Sequence, residues 1–397
     1  MIIKPSIRSN VFTNAHPYGC QQSIKNYIEE VKNLPTFKGP KNVLIIGGSS
    51  GYGLASRIAL AFSAEANTVN VSFESGPKGK RSGTAGWWNN IFFQEEAKVL
   101  GTTHKDFVGD AFSDELKQEV IAYIQDHLGT VDLVIYSLAA GARKHPTKDI
   151  IIRSAIKTIG EPADGQTINV AKEAIEDLTV EGATEEEIAN TVFVMGGEDW
   201  QKWVLQMAQQ KVLSKQAKTI SYTYIGGPTT ARLYRDGTLG KAKEHLEQTA
   251  KTLDQFLKDT LQGEALISSS KAVVTKASVF IPQMPIYVSC LFDVMMKEDV
   301  HETIIEHKHR LFASMVYGSK RRVDEEGRIR LDHLEMDETI QQKTAEKMQS
   351  VQEEELFKLP GTQQFLLDFY QIHGFKHDQI DYEQDVDLES LEILIPH

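Results

Sequence analysis

Cysteine is nearly absent from this 397-residue chain, which holds only Cys20 and Cys290. They lie 270 positions apart with no partner at zinc-ligand spacing. That excludes a disulfide-stapled secreted scaffold and a cysteine zinc site, and it suits a reducing cytoplasm. Long apolar runs are missing too: no stretch approaches the ~20 residues of a membrane span. The opening MIIKPSIRSN has no signal-peptide apolar region, so a soluble cytoplasmic protein is expected. Positive charge is in short supply, with 43 Lys and Arg against 55 Asp and Glu for a net charge of -12. An acidic surface of this kind disfavours a nucleic-acid partner. The basic run Lys320, Arg321, Arg322 is followed by Asp324, Glu325 and Glu326 and reads as a solvated loop. Neither internal repeats nor low-complexity tracts occur.

What is present is ordinary globular material, 41% apolar and 25% charged, enough for two or three average domains or one elaborated α/β domain. Residues 42–139 alternate between strand and helix patterns. Val43-Leu44-Ile45-Ile46 is an uninterrupted apolar run, as expected of a parallel strand covered on both faces. A helix over 52–62, a strand over 68–73 and a strand over 104–108 follow. Ser113 with Asp114 and Glu115 then opens a helix that stops at Gly129, and residues 131–138 form a fourth strand. These signals predict an α/β fold with a doubly wound parallel sheet of Rossmann type. The stretch from Gly141 to about Asp199 is polar and mixed, with a capping box at Thr184 and Glu187, and reads as an insertion over the sheet. Further strands are expected over 219–224 and 265–270, around a helix over 240–257. After Asp293 the chain is charged and helix-prone.

Gly47-Gly48-Ser49-Ser50-Gly51-Tyr52-Gly53 directly follows the first strand and opens a helix. Glycines at 47, 51 and 53 permit a tight turn and a close backbone approach to a pyrophosphate, whose charge the helix N-terminus stabilises. Glu74 stands at the end of the second strand, 21 residues past Gly53. A carboxylate there accepts hydrogen bonds from adenosine ribose hydroxyls and repels the extra phosphate of NADPH, so NADH is the expected cofactor. Lys78, Lys80 and Arg81 close behind could instead offset that phosphate if their loop folds back. In this geometry the later strand ends also face the cofactor, which points to Asp110-Ala111 and Leu138-Ala139.

A nicotinamide reductase needs a donor for the negative charge that develops on a substrate oxygen. A tyrosine hydroxyl beside a lysine ammonium serves this purpose. Tyr222, Tyr224 and Tyr234 are followed by Lys241 and Lys243. On a helix, positions 241 and 243 point about 200° apart, so only one faces the cofactor, and spacing alone does not choose.

Taken together, MIIKP at the start, AHPYGC at 15–20, SSGYGLASRI at 49–58, GDAFSDE at 109–115, VIYSLA at 134–139, MGGEDW at 195–200, GKAKEHL at 240–246 and KAVVTKAS at 271–278 resemble one family along nearly the whole chain. It is that of the FabV-type trans-2-enoyl-CoA and enoyl-acyl-carrier-protein reductases of bacteria, large relatives of the short-chain dehydrogenases. The family places eight residues between its tyrosine and lysine. The resemblance therefore implies Tyr234 as the catalytic donor, Lys243 as its cofactor-side partner and Lys241 as a bystander. It makes Tyr224 a substrate contact. It also implies that Gly47, Gly48, Ser49, Ser50, Gly51, Tyr52, Phe73, Glu74, Asp110, Ala111, Leu138, Ala139, Lys243, Val273, Val274 and Thr275 bind NADH, with no metal. One elaborated monomeric domain follows, with a dinucleotide-binding core over 42–139, pocket and catalytic elements over 140–300 and a helix-rich elaboration over 301–397. The helix after Ile281-Pro282-Gln283-Met284-Pro285 looks like a wall of the acyl pocket, although its periodicity also suits a core helix. The segments after Glu74 and over 142–181 match least well.

The implied reaction reduces the trans-2 double bond of an enoyl thioester carried on coenzyme A or acyl carrier protein. Competing readings are a short-chain carbonyl reductase or alcohol dehydrogenase, an NADH-binding regulator without turnover, and a metal hydrolase using His301, His307 and His309. Positions 307 and 309 fall on different helix faces, which argues against the last.

Overall fold

Seven strands lie parallel in one sheet: β1 (Asn42–Ile46), β2 (Asn67–Ser72), β3 (His104–Val108), β4 (Val131–Tyr136), β5 (Leu213–Thr223), β6 (Glu264–Ser269) and β7 (Ile329–Arg330). Their order across the sheet is β7-β6-β5-β4-β1-β2-β3. The order reverses between β1 and β4, where a doubly wound sheet opens its ligand crevice beyond the strand carboxyl ends. This computed structural model describes residues 1–392.

Alternate side chains along each strand serve opposite faces, and both faces are covered. Leu44, Ile46, Val69, Val71, Val134 and Tyr136 pack into one core with Trp203 and Leu253. Val43, Ile45, Leu133, Ile135 and Ile220 pack into another with Leu60, Leu311 and Phe312. Covered strands of this kind lose polar alternation, so short apolar runs revealed them in the sequence.

The helices that matter to the site are α1 (Pro17–Lys32), α2 (Gly51–Ala64), α3 (Ala85–Ala97), α4 (Asp114–His127), α5 (Glu185–Met195), α6 (Glu198–Gln209), α7 (Thr238–Leu261) and α8 (Met284–Lys297). The Ser113 hydroxyl accepts from the Leu116 amide to cap α4, and Thr184 with Glu187 forms the capping box of α5. Two buried ion pairs tie elements together, one a helix to the sheet and one a helix to a helix. Arg57 of α2 makes a two-bond contact with Asp106 of β3 at 2.7 and 3.2 Å, and Lys117 of α4 meets Asp199 of α6 at 2.8 Å. Removing one partner of such a pair costs about 3–5 kcal/mol, because the other charge is left without compensation.

Several boundaries differ from expectation. The fourth strand ends at Tyr136, so Leu138 and Ala139 already lie in the loop, and α7 is longer than expected at both ends. Within the 142–181 segment are two antiparallel hairpins, Ala142–Lys144 with Ile151–Arg153 and Ala163–Asn169 with Ala174–Val180. Most of their residues are exposed or half-buried, which weakens the apolar alternation that reveals a strand. Helices α1 and α3 were not anticipated. In α3, residues Trp88 to Phe93 are all buried in succession, so no amphipathic stripe exists to be read.

Candidate active site

The turn from β1 into α2 is built by close backbone contacts. Gly47 has φ +95°, a left-handed conformation that L side chains rarely adopt. A Cβ on Gly53 would stand 2.0 Å from the Gly47 carbonyl oxygen, so the first turn of α2 packs onto the loop only with glycine there. The loop is held from outside by asparagines that sequence reasoning passed over: Asn70 of β2 accepts from the Gly48 amide at 2.8 Å, and Asn89 of α3 donates to the Ser49 carbonyl at 2.9 Å. The available signal was a lone asparagine inside the covered strand Thr68-Val69-Asn70-Val71. Ser50 is the N-cap of α2 but its side chain makes no capping bond, so the amides of the first turn face the crevice without a side-chain acceptor from that residue. This arrangement fits the pyrophosphate of a dinucleotide.

Glu74 sits where the second strand ends. One carboxylate oxygen accepts from the Ser49 hydroxyl at 2.6 Å and the other from the Thr84 hydroxyl. A Cβ on Gly86 would lie 1.9 Å from that first oxygen, so the carboxylate rests on the first turn of α3, where a helix N-terminus favours negative charge. Each carboxylate oxygen has a second lone pair to offer a ribose hydroxyl. Beside it, the Phe73 side chain is 81% exposed. Lys78 and Arg81 pair with each other through their backbones in a tight turn.

The other expected cofactor residues lie just beyond the strands' carboxyl ends. After β3, the Asp110 carboxylate accepts from the Phe112 amide at 2.9 Å, and the Ala111 carbonyl accepts from Lys117 and Trp203 at 2.8 and 3.1 Å. Leu138 is half-buried and Ala139 exposed in the loop after β4. After β6, Val273 and Val274 are buried, and the Thr275 methyl would lie 3.3 Å from a Cβ on Gly51, which sets this loop against the start of α2. The Tyr52 hydroxyl is committed to the Lys271 carbonyl at 2.5 Å and ties the same two segments together.

Of the three tyrosines, Tyr222 is occupied: its hydroxyl meets Ser56 at 2.6 Å inside the core. Tyr224 and Tyr234 are brought together, with ring centroids 4.6 Å apart and edge to face. Among the described residues the Tyr234 hydroxyl has no hydrogen-bond partner, and burial followed by the nearby Glu335 carboxylate pushes it well above the usual phenol range. On α7 the two lysines differ as helix geometry demands. Lys241 is exposed and bound to Glu244 at 2.9 Å. Lys243 is half-buried with no direct partner among the described residues, and burial, opposed by Glu247, pulls it down to about 8. Buried α8 side chains, among them Met284, Ile286, Tyr287 and Leu291, share a core with Tyr234 and Val274, so this helix both belongs to the core and flanks the tyrosines.

Glu335 was missed by sequence reasoning. It is fully buried, accepts from the hydroxyls of Tyr224 and Tyr287 at 2.8 Å each, and accepts the Ala272 amide on its other oxygen at 2.5 Å. Burial, partly opposed by these hydrogen bonds, raises its carboxyl to about 7. The histidines of the metal-hydrolase alternative serve separate contacts. His307 meets Glu302 at 2.6 Å and accepts from the Lys271 amide, His309 donates to the Pro35 carbonyl at 2.7 Å, and His301 packs edge-on against Phe292.

Three family models match the chain: the NAD(P)H binding domain of trans-2-enoyl-CoA reductase over residues 2–79, the trans-2-enoyl-CoA reductase catalytic region over 81–317 and the enoyl reductase FAD binding domain over 323–386. In the last stretch, Gly361 and Gly374 serve close backbone packing against α8 and α1, and no glycine-rich turn from strand to helix occurs among the described residues. These residues do not offer a second phosphate cradle for a flavin. Among curated relatives, the enoyl-[acyl-carrier-protein] reductase [NADH] 2 of Photobacterium profundum is 45% identical and the trans-2-enoyl-CoA reductase [NADH] of Clostridium beijerinckii 43%, each covering 100% of both chains. The crystal structure of the Clostridium acetobutylicum trans-2-enoyl-CoA reductase with NADH superposes with a TM-score of 0.97 at 42% identity, covering 100% of both chains. With the doubly wound sheet, the glycine turn and the paired tyrosines in agreement along its full length, the chain belongs to the trans-2-enoyl-CoA and enoyl-acyl-carrier-protein reductase family.

Proposed function

We infer that this chain reduces the trans-2 double bond of enoyl thioesters to saturated acyl thioesters with NADH, the last reductive step of fatty-acid elongation. The observation that carries the reading is the pairing of Tyr224 with Tyr234 beyond the end of β5, with Lys243 half-buried on the adjoining helix and free of a direct partner among the described residues. The acyl group arrives on coenzyme A or on acyl carrier protein. The chain works as one elaborated domain, monomeric and cytoplasmic. The entry of β7, from beyond residue 320, into the same sheet as β1 supports the single domain.

When bound, the nicotinamide supplies the hydride that reaches the β-carbon and leaves negative charge on the thioester oxygen. Tyr234, with an uncommitted hydroxyl, donates to that oxygen, and Tyr224 donates beside it. These bonds strengthen as charge develops, so they lower the barrier rather than merely bind the substrate. Lys243 holds the nicotinamide ribose and, when protonated, favours the ionised form of the Tyr234 phenol against the effect of burial. A proton delivered to the α-carbon from Tyr234, directly or through water, completes the product. The glycine turn, Ser49 and Ser50 hold the pyrophosphate, Glu74 the adenosine ribose, and the loops at 110–111, 138–139 and 273–275 the rest of the cofactor. Glu74 sets the preference for NADH over NADPH.

The test is turnover of NADH with crotonyl-CoA by three variants. Tyr234→Phe and Lys243→Met should each lose about a hundredfold or more in kcat, the scale of general acid catalysis. Lys241→Met should stay within twofold of wild type (about 0.4 kcal/mol). Equal losses at 241 and 243 would refute the assignment of roles on α7.

A further inference from the structure

The hydrogen bonds around Glu335 conflict with the role of Tyr224 unless the carboxyl carries a proton. A tyrosine hydroxyl has one proton to donate. If Glu335 is ionised, that proton points at its Oε1, and Tyr224 presents only lone pairs to a substrate oxygen that is itself gaining negative charge. The neighbours decide where a proton on Glu335 must sit. The Ala272 amide donates to Oε2 at 2.5 Å, so Oε2 serves as an acceptor and the proton belongs on Oε1. The Gln341 amide nitrogen donates to the Tyr287 oxygen at 2.9 Å and to the Glu335 backbone carbonyl at 2.8 Å. The Tyr287 proton is thereby turned toward Oε1. With Tyr287 donating to Oε1, the Oε1 proton is free for one partner only, the Tyr224 oxygen at 2.8 Å.

We propose that Glu335 is a positioning residue that works in its neutral form: Gln341 donates to Tyr287, Tyr287 to Glu335, Glu335 to Tyr224, and Tyr224 to the substrate oxygen. No covalent bond changes in this chain. Its effect is to fix the direction of the Tyr224 hydroxyl and to strengthen it as a donor. The inference rests on Tyr224 touching the substrate, as argued above.

The surroundings favour the neutral carboxyl. The nearby Asp332 carboxylate pairs with Arg330 at 2.8 Å and accepts from the Ser269 hydroxyl at 2.8 Å, and it opposes a second negative charge on Glu335. The phenols of Tyr52, Tyr224, Tyr234 and Tyr287 line the same enclosure. Two buried lysines nearby direct their ammonium groups elsewhere, Lys271 to the Glu302 carbonyl and Lys308, over the Tyr52 ring, to the Ser270 hydroxyl. Burial raises the carboxyl to about 7, so it is neutral below that pH and ionised above it.

The experiment compares kcat/KM for crotonyl-CoA from pH 6 to 9 in wild type, Glu335→Gln, Glu335→Ala and Tyr224→Phe, with NADH affinity measured separately by fluorescence. Glutamine keeps a carbonyl for the Ala272 amide and a permanent donor for Tyr224, so it imitates the neutral acid toward Tyr224, although its amide nitrogen cannot accept from Tyr287. The ratio of Glu335→Gln to wild type should rise about tenfold per pH unit above 7, the slope for loss of a single proton (1.4 kcal/mol per unit). The ratio cancels titrations shared by both proteins, that of Lys243 included. Below pH 7, where the wild-type carboxyl is neutral, Glu335→Ala should lose at least about tenfold with NADH affinity retained (1.4 kcal/mol). A ratio that stays flat with pH while Tyr224→Phe is slow overturns the relay and leaves Tyr224 as a substrate contact. A Tyr224→Phe enzyme as fast as wild type overturns both.

Discussion

Glu74 and Glu335 show how one side chain takes two characters from its surroundings. Glu74 is half-exposed against the first turn of α3, whereas Glu335 is sealed among phenols. Glu74 was legible in the sequence because its distance from the glycine turn is set by the length of one helix and one strand. Glu335 was not, because its partner Tyr224 lies 111 residues away and nothing periodic joins them. Choosing between Lys241 and Lys243 needed the family resemblance, since Gly237 and Gly240 obscure where the helix begins. On α7 the Lys241 side chain is exposed and that of Lys243 half-buried. For Glu74 the expectation is concrete: Glu74→Ala should raise the ratio of NADPH to NADH kcat/KM about tenfold (1.4 kcal/mol). An unchanged ratio would remove Glu74 from the adenosine site.

Among the elements, α2 carries the most consequence. Its first turn is set by Gly53 against Gly47, and its middle is held to β3 by the buried pair of Arg57 and Asp106. These two attachments separate cofactor binding from stability. Gly53→Ala must push the Gly47 carbonyl away, while Arg57 still anchors the helix. We expect the Kd for NADH to rise about tenfold or more by titration (1.4 kcal/mol), with cooperative thermal unfolding retained. A variant that binds NADH as tightly as wild type would show that this contact does not shape the site. Strands β1 to β6 and helices α2, α4 and α7 were visible in the sequence through apolar runs, caps and periodicity. The hairpins over 142–180 and helix α3 were hidden, the first because most of their residues are exposed or half-buried and the second because Trp88 to Phe93 are buried in succession.

At the scale of the molecule, the parallel sheet explains why candidate site residues so far apart in sequence come to the same side. The carboxyl ends of β1, β2, β3, β4, β5 and β6 all open on the same side because the strands are parallel. The stretches 47–53, 73–74, 110–111, 138–139, 224 and 273–275 therefore follow those ends. The part beyond residue 300, to which the sequence assigned no chemical task, contributes the edge strand β7 and Glu335 with its partner Gln341. No helix among the described residues is long and apolar enough to cross a membrane. The central claim is tested most directly by following absorbance at 340 nm for the purified protein with NADH and crotonyl-CoA, and identifying the product. The account predicts a fall in absorbance that requires the enoyl thioester, is faster with NADH than with NADPH, and yields butyryl-CoA in equal amount. NADH binding without any loss of absorbance, or oxidation of NADH that leaves the double bond intact, would contradict it.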